Sequence, residues 1–86
     1  MGLPQFNNIN LAQLFLWDEA TYKNNTQSTP LARLGYERWL RNIAVALGNA
    51  PASPENKSAL QTRLNHPSQL VREHVEWAWH KINNSR

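Results

Sequence analysis

Eighty-six residues without a cysteine allow one small hydrophobic core, offer no disulfide to reinforce it, and exclude thiolate-held metal clusters within this chain. No apolar run is longer than Ile43 to Leu47, which excludes a membrane-spanning helix. The N-terminus lacks the basic-then-apolar order of a signal peptide, so a cytoplasmic protein is expected. The net charge of +3, with a sequence pI near 9.8, favours polyanions only weakly, but it is uneven: Leu31 to Arg41 holds three arginines against one glutamate.

In chain order the pattern is helical, with no alternating apolar–polar run and no hairpin turn. Asn10 is placed to cap a first helix whose apolar side carries Leu11, Leu14 and Phe15. Asp18 caps a short second helix containing Ala20 and Tyr22, which the polar run Lys23 to Ser28 is expected to dissolve. Thr29 caps a third segment, with Pro30 at the favoured first position; this segment either runs on through Gly35 or breaks there ahead of the main helix.

The main helix is apolar on the face shared by Tyr36, Trp39, Leu40, Ile43 and Leu47. Glu37, Arg38, Arg41 and Asn42 occupy the remaining arc, with Val45 between the two arginines. Gly48-Asn49-Ala50-Pro51 is a stop. Ser53-Pro54 opens the next helix, through Leu60 and Leu64, and Asn65-His66-Pro67-Ser68 is the turn before a last helix running to about Ile82. In that helix Val71, Val75, Ala78 and Ile82 form the main stripe, with Trp79 at its edge. Trp77 lies nearly opposite, beside Leu70, Glu73 and Lys81, and so either packs on a second neighbour or is exposed. Residues 3–83 are expected to form one domain, with a frayed tail at 84–86 and with Met1-Gly2 either native or added for expression.

An internal repeat is visible. Leu40-Arg41-x-x-Ala44-x-x-Leu47 matches Val71-Arg72-x-x-Val75-x-x-Ala78 at an offset of 31 residues. An apolar-Arg-x-x-small pattern at that period resembles the HEAT-like repeats of α-solenoids, in which each helix pair buries its faces against its neighbours. The expected fold is therefore all-α: a small right-handed solenoid-like array of HEAT-like helix pairs, with four or five helices.

The stretch from Arg38 through Trp39-Leu40-Arg41-Asn42-Ile43-Ala44-Val45-Ala46-Leu47-Gly48 to Asn49 resembles a segment near the C-terminus of bacterial epoxyqueuosine reductases. These are the iron–sulfur and cobalamin enzymes that finish the queuosine modification of tRNA. The flanks keep the same order: Leu16-Trp17, Asp18-Glu19 and Thr29-Pro30 upstream, then His66-Pro67-Ser68-Gln69-Leu70 and Glu76-Trp77-Ala78 downstream. The similarity runs from about Leu11 to Ile82.

The resemblance implies a C-terminal helical domain separated from its catalytic domains, helping to hold the tRNA anticodon stem-loop. Cobalamin and two 4Fe-4S clusters would belong to the absent domains, leaving no cofactor and no catalysis in this chain. The implied partners are tRNA and the catalytic domains of the same polypeptide, with no membrane and a monomeric state. The alternative is a protein-interaction or scaffolding domain that docks on the catalytic part.

Arg33, Arg38 and Arg41 are the candidate RNA-binding residues, because guanidinium forks match phosphate oxygens and position RNA without reading its sequence. Asn42, Gly48 and Arg72 are read as structural repeat positions. Arg41 and Arg72 hold equivalent places in the repeat, where bonds to helix ends or acidic side chains are the competing role. Glu37 stands four residues before Arg41 for a local pair. Asn42, poor in a helix interior, is expected to satisfy a backbone group in the adjoining loop. His66, His74 and His80 lack the spacing of metal ligands; His66 is placed either to cap the last helix or to lie near RNA. Phe15, Trp17, Tyr22, Trp39 and Trp79 fall at helical spacing and are read as core.

Overall fold

The computed structural model describes residues 10–84, which form five α-helices and one 3-10 turn, with no strand among the described residues. Met1-Gly2 and the end of the tail, Ser85-Arg86, lie outside the described residues. Helix α1, Leu11–Phe15, starts where Asn10 Oδ1 accepts the Gln13 N–H at 2.8 Å, and it buries Ala12, Leu14 and Phe15. Helix α2, Glu19–Thr26, starts where Asp18 Oδ1 accepts the Thr21 N–H at 2.8 Å.

The polar run after Tyr22 does not dissolve this helix. Tyr22 and Thr26, one turn apart, are both buried, and the Thr26 hydroxyl donates to the Tyr22 carbonyl at 2.7 Å. Tertiary burial thus outweighs the weak helix propensity of Asn24 and Asn25. A 3-10 turn, Pro30–Arg33, follows, capped by Thr29 Oγ1 on the Leu31 N–H at 3.2 Å. The chain then breaks at Gly35, whose φ of 90° lies in the region that only glycine visits readily. The Tyr22 hydroxyl pins the break, donating to the Leu31 carbonyl at 2.5 Å and accepting the Gly35 N–H at 3.1 Å.

Helix α3 runs Tyr36–Gly48, α4 Pro54–Thr62 and α5 Gln69–Asn83. Ser53 and Ser68 cap the last two, accepting the Asn56 and Val71 N–H groups at 3.1 and 3.3 Å. Helix α4 ends before Leu64, which is half-buried beyond its last turn. Helix α3 ends at the expected stop, with Asn49 as its C-cap, and Gly48 has a second part in the packing. It is helical without a positive φ, and a Cβ there would stand 2.6 Å from Trp77 Cζ3 and 3.1 Å from Ala78 Cα. Its missing side chain lets α3 and α5 approach.

Those two helices run parallel. At their N-terminal ends the Ser68 hydroxyl donates to the Glu37 carboxylate, 31 residues apart; at their C-terminal ends Lys81 donates to the Asn49 side-chain oxygen, 32 residues apart. The sequence repeat thus reappears as the spatial offset between neighbours, and its apolar members Leu40, Ala44, Leu47, Val71, Val75 and Ala78 are all fully buried. Helix α1 packs on α3 and α4, and α4 on α5, giving two helix layers in a body only 18 Å across its thinnest dimension. The α2 segment and the 3-10 turn lie against α3 through an aromatic cluster: Tyr22 is 5.1 Å from Trp39, and Trp17 stacks on Trp39 at 5.7 Å and 12°.

Candidate nucleic-acid interface

Arg33 closes the 3-10 turn and Arg38 sits in the first turns of α3. Both are exposed, and neither makes a hydrogen bond or ion pair among the described residues. They flank the Gly35 break without converging. Arg38 borders an open groove with Gly35, Glu37, His66 and Ser68, whereas Arg33 borders a separate one with Gln27, Thr29 and Pro30.

Arg41 is half-buried, and its Nε donates to Asn42 Oδ1 at 2.8 Å. The expected Glu37–Arg41 pair does not form, because the Glu37 carboxylate is taken by Ser68 at the end of the neighbouring helix. The loop-backbone bond expected of Asn42 is likewise replaced by its contact with Arg41. Arg72 turns back to the loop before its own helix, donating through Nη1 to the carbonyls of His66 and Pro67 at 3.0 and 3.2 Å.

His66 lies in that same loop. Its Nδ1 accepts the Ser68 N–H at 3.1 Å, which leaves Nε2 to carry the proton of the neutral ring. Burial, with the nearby Arg63 adding to it, lowers the His66 pKa below its ordinary value against the opposing pull of Glu37. His74 is fixed through Nδ1 to the Leu70 carbonyl at 2.8 Å. Among the described residues no three histidine, aspartate or glutamate side chains converge on a point that could hold a metal ion. Without a cysteine in the chain, the donors present do not fit an iron–sulfur cluster.

Two arrangements join segments distant in the chain. Arg63 reaches back 46 to 48 residues, Nε donating to the Phe15 carbonyl at 2.8 Å and Nη2 to the Trp17 carbonyl at 3.1 Å, while its guanidinium lies 5.6 Å from the centre of the Phe15 ring. The Tyr36 hydroxyl donates to the same Trp17 carbonyl at 2.5 Å. Burial raises the Tyr36 pKa, with Arg63 pulling against it. The second arrangement surrounds Trp77, which is 43% exposed. The edge of its ring rests on Gly48, Lys81 Nζ stands 5.2 Å from a ring centre, and an open groove beside it is lined by Val45, Glu73 and His74.

No family model matches the chain, and no solved structure matches it. Curated relatives named epoxyqueuosine reductase do. The protein of Pseudomonas aeruginosa is 58% identical over 71 residues, 83% of this chain and 20% of the relative. That of Xanthomonas campestris pv. campestris is 57% identical over 68 residues, 79% of this chain and 19% of the relative. That of Vibrio cholerae is 44% identical over 72 residues, 84% of this chain and 19% of the relative. The chain spans about a fifth of the length of the curated relatives it matches. Identity of 44–58% sustained over about four-fifths of the chain makes it a homologue of the epoxyqueuosine reductases, matching one segment of them.

Proposed function

We propose that this chain is a C-terminal helical part of an epoxyqueuosine reductase-like enzyme of queuosine tRNA modification, and that it helps to hold the anticodon stem-loop of tRNA without taking part in the chemistry itself. The observation that carries this reading is the sustained identity to those reductases over a cysteine-free segment that has helices and no strand among its described residues. The two-layer arrangement with parallel α3 and α5 supports a pair of HEAT-like repeats. Exposed Arg33 and Arg38, with no acidic partner among the described residues, support phosphate contact. Cobalamin and the iron–sulfur clusters belong, in this reading, to other parts of a longer polypeptide. A second reading, a scaffolding domain docking on those parts, is favoured by Leu16, 47% exposed at the end of α1.

The two readings separate in one experiment. Replacing Arg33 and Arg38 by alanine should weaken binding of a tRNA transcript, with the melting temperature nearly unchanged. The logarithmic salt dependence of affinity should become shallower by roughly 0.7–0.9 for each phosphate that is no longer neutralised. Unchanged affinity and salt slope in the double variant would overturn the RNA reading in favour of scaffolding.

A further inference from the structure

The groove between α3 and α5 has a volume of ≈ 420 Å³, and Val45, Glu73, His74 and Trp77 form its walls. We infer that it takes an unpaired guanine base of an RNA, stacked on Trp77 and held along its Watson–Crick edge by Glu73. The inference rests on the tRNA reading above and adds a base-reading site to it.

Trp77 is suited to the stacking role because its ring is held and yet open. Gly48 supports its edge, and Lys81, one helical turn further on, places its ammonium 5.2 Å from a ring centre while donating to Asn49. His74 and Glu73 stand one turn earlier, so the groove opens on the other side of the indole from Lys81. Aromatic platforms flanked by cations are the usual means of holding an unpaired base. Arg41 stands one turn before Val45 on α3 and Lys81 one turn after Trp77 on α5, so each adds positive charge next to a wall residue of the groove for the flanking phosphates.

Glu73 decides which base. A carboxylate in a phosphate-binding surface is unfavourable unless it accepts hydrogen bonds from the ligand. Glu73 is exposed and, among the described residues, is held only by Gln69, which donates to its Oε2 at 2.9 Å from one turn away. Guanine alone among the common bases presents two adjacent donors, N1–H and the 2-amino group, matching the two oxygens of a carboxylate. Adenine and cytosine offer one amino group beside an acceptor, and uracil one N–H between two acceptors, so each sets a lone pair against the anion. A protein partner inserting an apolar knob would strip water from Glu73 and return nothing to it.

The test uses the 86-residue chain and an RNA stem-loop with one unpaired guanosine in its loop, compared by fluorescence anisotropy with the same RNA carrying inosine there, which lacks the 2-amino group. The guanosine loop should bind tighter by about 5- to 100-fold, the range of one good side-chain-to-base contact. Trp77→Ala should weaken it by a similar factor of about 5- to 100-fold, and Trp77→Phe should keep most of the affinity. Glu73→Gln, at an exposed position that leaves folding intact, should erase the preference for guanosine over inosine, and it decides the matter should Trp77→Ala fail to fold. Equal binding of the two loops by the unsubstituted chain, or a preference surviving Glu73→Gln, overturns the site. If Arg33→Ala and Arg38→Ala then weaken both loops alike, the tRNA reading stands without it. A chain that binds neither loop rejects both.

Discussion

Gly48 shows how much one absent side chain decides. Glycine to alanine in a helix ordinarily stabilises by about 1 kcal/mol. Here the new methyl would meet Trp77 Cζ3 at 2.6 Å and the Ala78 backbone at 3.1 Å, and overpacking of that kind costs about 1–3 kcal/mol. Gly48→Ala should therefore lower the melting temperature, against the propensity trend; a raised one would show that α5 moves aside easily. His66 makes a second residue-scale prediction. Its folded pKa lies below the unfolded 6.5, so the unfolded chain binds more protons in the interval beneath that value. The stabilisation is complete above pH 6.5 and is lost as pH falls through the lowered folded value. His66→Ala should flatten the melting temperature's dependence on pH over that interval. Asp18, lowered mainly by its bond to the Thr21 backbone, acts in the same direction further down, below 3.8. An unchanged slope in the His66 variant would mean that the loop before α5 opens before His66 protonates.

At the scale of elements, the caps are legible in the sequence and the long-range clamps are not. Asn10, Asp18, Thr29 and Ser53 each satisfy N–H groups two or three residues ahead, a chemistry written into adjacent positions, whereas the last helix is capped by Ser68 and not by His66, whose Nδ1 accepts the Ser68 N–H instead. The continuation of α2 to Thr26 depends instead on the burial of Tyr22 and Thr26 against the rest of the fold, which Lys23-Asn24-Asn25 gives no hint of. Arg33 and Arg38 are recognisable as a charge cluster, but their separation into different grooves follows from the Gly35 break, and the Trp77 groove exists only once α3 and α5 lie side by side. Arg63 is the clearest case, since its acceptors are the last residue of the distant α1 and Trp17 just past it. Arg63→Ala should cost on the order of 2 kcal/mol, as expected for hydrogen bonds from a charged donor, with the Phe15 carbonyl losing its guanidinium partner and the Trp17 carbonyl keeping the Tyr36 hydroxyl. Arg63→Lys should recover only part of it, because an ammonium cannot span two carbonyls as a fork does. Urea titration of the three proteins checks this, and a lysine variant as stable as the original would show that charge alone suffices.

Across the whole molecule the layers are unequally secured. Helix α3 touches every other helix, while α2 and the 3-10 turn pack mainly on each other and on α3. Native-state hydrogen exchange should therefore find the slowest amides in α3 and α5, with the segment from Glu19 to Arg33 opening below the global unfolding energy. Equal protection of both regions would mean that the aromatic cluster binds α2 as firmly as the core. That cluster also gives the fold an optical label. The indoles of Trp17 and Trp39 lie nearly parallel and 5.7 Å apart, close enough for their excited states to couple, while Trp77 sits toward solvent. The near-ultraviolet dichroism of this chain should thus carry a paired-chromophore signal specific to the docking of the end of α1 on α3, and the disappearance of that signal can be timed separately from the melting of the helices.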